Sequence, residues 1–128
     1  MKYIYPAIFK EDDGKIAVEV PDIPGCFTFG DDMADAMDMA KDVIEMMLVD
    51  YENNNKPIPA PSKISDIKTD GIISLIKADT IEWRKEFDNR SVKKTLSIPA
   101  WLNTRAEKAS VNFSSVLQEA LMQKLNIC

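Results

Sequence analysis

Three groups of residues in this sequence are of types that could do chemistry. They are a thiol at Cys26, carboxylates at Asp35, Asp38, Asp42 and Glu45, and an alternating run, Lys93, Thr95 and Ser97, of hydrogen-bonding side chains. None has a histidine to work with, because the 128 residues contain none. That removes the commonest general base, every Cys/His or Ser/His pairing and most zinc sites. Cys26 also lacks an adjacent Lys or Arg to lower its pKa, and it reads as a small buried hydrophobe where a loop becomes a strand. It is distant in sequence from the second cysteine, Cys128, and both are read as reduced thiols. The carboxylates recur at spacings of three and four, which places them on one helix face, either simply solvated or offered to a positive partner.

The elements that position these groups follow from patterning. "YIYPAIF" and "KIAVEV" are short β-rich runs, with Ile16, Val18 and Val20 alternating on one face and "DDG" as the turn of a hairpin. "PDIPGC" interrupts the pattern, and "FTF" resumes it as a third strand with Phe27 and Phe29 on one face. Gly30 ends that strand, and Asp31 or Asp32 can cap the helix that follows. Met33, Ala36, Met37, Ala40, Val43, Ile44, Met47, Leu48 and Tyr51 form its apolar stripe, opposite Asp35, Asp38, Asp42, Glu45 and Glu52. "NNNKPIPAPSKISD" is an aperiodic loop, and "GIISLIKAD" an apolar run expected as a central strand buried on both faces. The order β-β-β-α-β describes a small α+β domain over residues 1–80, followed by a charged and partly helical linker over 81–90.

Residues 91–128 differ in pattern and in charge. Val92, Leu96 and Ile98 share one strand face with Lys94, while Lys93, Thr95 and Ser97 point the other way. Pro99 ends the strand and suits the start of a helix carrying Leu102, Ala106 and Ala109. A second helix, capped by Asn112, carries Val116, Leu117, Ala120, Leu121 and Leu125. One strand and two helices in about 35 residues can neither enclose a core nor pair the strand's edge, so a second copy is needed. Residues 1–89 hold ten Lys/Arg against nineteen Asp/Glu, and residues 90–128 hold six against two, within a net charge of −5. Nucleic acid, if bound, is therefore bound by the C-terminal part.

"KKTLSIPAWLNTRAEKASVNFSSVLQEALMQKL" resembles the ribbon-helix-helix fold of bacterial repressors. The resemblance implies a homodimer whose antiparallel ribbon enters the DNA major groove, with Lys93, Thr95 and Ser97 at base-contacting positions. It places Asn112, Phe113 and Ser114 where a helix amino terminus meets a backbone phosphate, and Leu96, Ile98, Leu102, Val116, Leu117 and Leu121 in the dimer core. The groove residues are small and only one is charged, so two dimers side by side are expected for tight operator binding.

"YIYPAIFKEDDGKIAVEVPDIPGCFTFGDDMADAMDMAKDVIEMML", with the later "PIPAPS", is similar to the HicB antitoxin family, of which one branch ends in a ribbon-helix-helix. That resemblance implies a partial ribonuclease-H-like amino domain that neutralises a small HicA-type RNA-cleaving toxin, and a carboxy domain that represses the shared operon. It nominates Asp22 in "PDIPGC" and Asp35, Asp38, Asp42 and Glu45 on the helix as toxin-binding residues. An active nuclease is disfavoured because ribonuclease-H chemistry needs an acid on its first strand, and "YIYPAIF" has none. No Gly-rich phosphate loop is present, so no cofactor and no metal is expected. The alternative is a stand-alone ribbon-helix-helix repressor whose amino domain senses a small ligand. With neither an apolar membrane-length run nor a signal peptide at the start, the expected location is cytoplasmic and off the membrane.

Overall fold

The computed structural model describes residues 1–88 and 90–127. They divide into two compact units, Met1–Arg90 and Ser91–Cys128. The expectation for Cys128 lies outside the described residues.

In the first unit the hairpin joins β1 (Lys2–Asp12) to β2 (Lys15–Glu19), with Ile8 opposite Glu19 and Asp12 opposite Lys15. Its two-residue turn needs positive φ at both positions, and Asp13 (53°) and Gly14 (81°) supply it, as in a type I′ turn. The third strand, β3 (Phe27–Gly30), pairs antiparallel with β2. The fourth, β4 (Ile72–Asp79), pairs antiparallel with β1 over its whole length, giving the order β3-β2-β1-β4. The apolar run "GIISLIKAD" is thus an edge strand. It was expected to be central, but β1 occupies its one paired side, and Ile72 and Leu75 are exposed.

One long helix, α1 (Met33–Asn53), covers a single face of this sheet. Asp32 caps it, its side chain accepting from the Asp35 N–H at 2.8 Å. Ala36, Ala40, Ile44 and Leu48 are completely buried against Tyr5, Ala7, Phe9, Val18, Ile76 and Ala78. Each large apolar side chain so buried is worth about 1.5–3 kcal/mol, and the run of alanines lets the helix lie close to the strands. Gly30 is the tightest point: a Cβ there would sit 2.3 Å from the Ala36 nitrogen. The strand meets the helix there with no room for a side chain.

The charged stretch expected as a linker is mostly a helix. α2 (Thr80–Phe87) starts directly from β4, is capped by Asp79, and packs on α1 as part of the first unit. In the second unit, α3 (Ala100–Lys108) follows Pro99 and α4 (Phe113–Lys124) follows Asn112. Residues 91–99 carry no secondary structure in the single chain.

Candidate functional site

The first surface to consider is the outer face of α1, and α2 divides it. Glu45 is only 3% exposed. Its carboxylate accepts from the Asp79 N–H at 2.6 Å and from Lys41 at 3.1 Å, so it ties the end of β4 and the start of α2 to α1. Its place among the toxin-binding carboxylates is corrected: a side chain closed in by α2 cannot meet a partner. Glu52 is likewise engaged, accepting from Tyr3 at 2.7 Å, Thr80 at 3.1 Å and Arg84 at 3.1 Å. Burial works against its charge, but these hydrogen bonds outweigh it and hold the carboxyl below its usual range. Burial, reinforced by Glu52, pushes the Tyr3 hydroxyl up to about 12.

Asp22 also has an internal role. It accepts from the Ser62 N–H at 2.9 Å and from the Ser62 hydroxyl, while Tyr5 donates to the Pro59 carbonyl. The "PIPAPS" loop is thereby strapped across "PDIPGC", which is itself closed by the Val20 N–H to Cys26 carbonyl bond at 2.9 Å. Cys26 is buried, which bears out its reading as a small buried hydrophobe, and burial pushes its thiol up to about 11.

Asp35 turns partly inward to the helix start, where it accepts from the Asp31 N–H at 2.8 Å. Of the nominated acids, Asp38 and Asp42 remain fully outward, with Asp50 beyond them. Between them stand Met39 and Met46, exposed and one heptad apart, which the sequence reading did not single out. Their signal was there to find: both fall outside the apolar stripe. The result is a strip of flexible apolar side chains flanked by carboxylates, suited to a basic protein surface.

The second surface is the whole of the second unit. Among its described residues none is buried. Leu96 is 59% exposed and Leu125 65%, and Ile98, Leu102, Val116, Leu117 and Leu121 are also open to solvent. Lys93, Thr95 and Ser97 lie exposed in the segment without secondary structure. Asn112 caps α4, accepting from the Ser115 N–H at 3.1 Å, and Phe113 and Ser114 open the helix. No helix among the described residues is long and apolar enough to cross a membrane.

Comparison with known proteins places these surfaces in context. A sequence model described as "HicB_like antitoxin of bacterial toxin-antitoxin system" matches residues 5–123. A 14.9 kDa protein of Haemophilus phage HP1 is 33% identical over 82% of this chain and 80% of its own length. A toxin–antitoxin complex from Streptococcus pneumoniae contains a chain similar in structure, with TM-score 0.61 and 25% identity over 97% of this chain and 99% of that one. A HicA3 and HicB3 toxin–antitoxin complex gives TM-score 0.52 and 25% identity over 60% of this chain and 99% of that one.

Proposed function

The chain belongs to the HicB-like antitoxin family of bacterial toxin–antitoxin systems, a family of non-enzymatic regulatory proteins, and from that premise we propose a division of labour between its two units. In the cytoplasm, the first unit, with a partial ribonuclease-H-like fold, binds and silences a small basic HicA-type RNA-cleaving toxin. The second pairs with itself as a ribbon-helix-helix and represses the operon.

The observation that carries this reading is the coincidence of a structural boundary with a change of charge. Met1–Arg90 holds eleven Lys/Arg against nineteen Asp/Glu, and Ser91–Cys128 five against two. An RNA-cleaving protein is expected to be basic, and a unit at −8 steers it in and competes with its substrate. On the first unit we assign toxin docking to Asp38, Asp42 and the Met39–Met46 strip; Asp35 holds the start of α1 beside it, Asp22 holds the Ser62 loop, and Glu45 holds α2. A unit at +3 with an uncovered apolar set is suited to pairing and to DNA. Two copies would close Leu96, Ile98, Leu102, Val116, Leu117 and Leu121 into one core. Residues 92–98 would then form the paired strands, with Lys93, Thr95 and Ser97 toward the base edges. Because the Asn112 side chain caps Ser115, the phosphate would be held by the N–H groups at Phe113 and Ser114 and by the helix dipole.

Two double variants of the full chain test the division. Asp38→Lys with Asp42→Lys is expected to weaken toxin binding by at least about tenfold, since like charges are then set against a basic partner, while operator binding stays. Unchanged toxin affinity by calorimetry would move the toxin to another surface. Lys93→Ala with Thr95→Ala is expected to abolish specific operator binding without separating the paired chains. Each good base contact is worth about 1–3 kcal/mol and is doubled by symmetry. A variant that still shifts operator DNA at wild-type concentration sinks the ribbon assignment.

A further inference from the structure

One face of α3 belongs neither to the apolar set of the second unit nor to the segment 92–98. Leu102 and Ala106 form the apolar side of the helix, while Trp101, Arg105 and Lys108, at spacings of four and three, share a face about a third of a turn away. Trp101 is 66% exposed. Arg105 and Lys108 are exposed too, and neither side chain has a hydrogen-bond or ionic partner among the described residues. The acid of α3, Glu107, is turned away from them and accepts from the Asn103 side chain at 3.3 Å. We propose that this face is a second contact with duplex DNA, gripping the sugar-phosphate backbone beside the operator and reading no bases. The proposal rests on the DNA-binding reading of the second unit and adds a surface to it.

The chemistry of the face selects the occupant. Guanidinium and ammonium groups bond phosphate oxygens, an indole N–H donates to another, and its ring covers a deoxyribose. A basic toxin is repelled here, and a second copy of the same face would set like charges together. The α3 dipole gives the two cations a simpler role in its last turn, but it asks nothing of an exposed tryptophan beside them. Phosphate contacts supply most of the affinity for DNA, and of the three groove residues only Lys93 is charged, so cations elsewhere in the unit are needed. Position fits as well. α3 starts at Ala100, three residues after Ser97, so its face continues from the residues turned toward base edges. From Trp101 to Lys108 an α-helix rises about 10 Å, comparable with the ~8.5 Å depth of the major groove. A helix climbing from a ribbon on the groove floor thus brings Arg105 and Lys108 level with the phosphates along the rim.

The test is binding of the full-length chain, over a range of salt, to two duplexes: the promoter fragment ahead of its own gene and a shuffled duplex of equal length. Arg105→Gln with Lys108→Gln is expected to weaken both by at least about tenfold and to leave their ratio unchanged. It should also flatten the slope of log affinity against log salt by about 3–4, for four cations lost per pair of chains. Lys93→Ala with Thr95→Ala differs by losing the ratio. In a Trp83→Phe background Trp101 is the one tryptophan left, and its emission is expected to change on adding either duplex. Both cations are exposed, so thermal unfolding and solution mass should be those of the wild type. An unchanged salt slope overturns the proposal and leaves the two cations to the helix dipole. A lost ratio at constant slope overturns it in favour of base reading, a lower solution mass gives the face to chain pairing, and an emission unmoved by both duplexes removes Trp101 from the contact. A wild-type chain with no preference for the promoter fragment defeats the operator reading instead, and the slope on the shuffled duplex still decides for this face. A wild-type chain that binds neither duplex overturns both.

Discussion

Leu96→Asp is expected to abolish chain pairing through the second unit and operator binding in one step. In the single chain Leu96 is 59% exposed and an aspartate there is harmless. In the proposed dimer the same position is closed between two chains, and two carboxylates related by symmetry would be buried without partners. Burial of an unpaired charge costs several kcal/mol per ion, and symmetry doubles it, which exceeds what a small four-helix core can offset. The measurements are the solution mass and an operator shift assay on the same preparation. This variant behaves oppositely to Lys93→Ala with Thr95→Ala, where DNA is lost and pairing kept. A Leu96→Asp protein that pairs and binds operator would mean that the strand faces are reversed, with Leu96 turned toward the groove.

Gly30→Ala is expected to produce the largest loss of stability available from a single methyl group in the first unit. The added Cβ would lie 2.3 Å from the nitrogen, 2.4 Å from the Cα and 2.8 Å from the Cβ of Ala36. Two of these are backbone atoms at the start of α1, which cannot move aside as a side-chain tip can. Relief requires lifting α1 off the sheet, and with it Ala36, Ala40, Ile44 and Leu48, all completely buried. A cost of roughly 4 kcal/mol or more follows, at the exceptional end for point substitutions and a large share of the ~5–15 kcal/mol that holds a domain folded. Thermal unfolding of the first unit should fall by about 15 °C or more. Toxin binding should be lost with it, while a separately folding second unit should still bind operator. A Gly30→Ala protein within a few degrees of wild type would mean that β3 and α1 do not approach so closely.

Periodicity and punctuation were enough to place most elements. The Asp13-Gly14 turn, the glycine at the end of β3, the Asp32 cap, the Asn112 cap and Pro99 before α3 are local devices, each acting through the backbone within a few residues, and each was legible in the chain. The same holds for the charge division and for the buried Cys26. The open character of the second unit, in which none of the described residues is buried, was likewise readable by counting apolar faces.

What the tertiary structure alone decided concerns which faces are already taken. Glu45 and Asp42 are three residues apart on one helix face and look equivalent in sequence, yet α2 closes over the first and leaves the second in water. Asp22 looks like a free loop acid until a segment 40 residues away donates two hydrogen bonds to it. "GIISLIKAD" is as apolar as a central strand but lies at the edge, because its composition does not specify how many neighbours it will have. The alternation that set Phe27 and Phe29 on one face could not say that this face would be bare. Local pattern determines what each element presents; only the packing of elements distant in sequence determines which of those faces remain free to meet a partner.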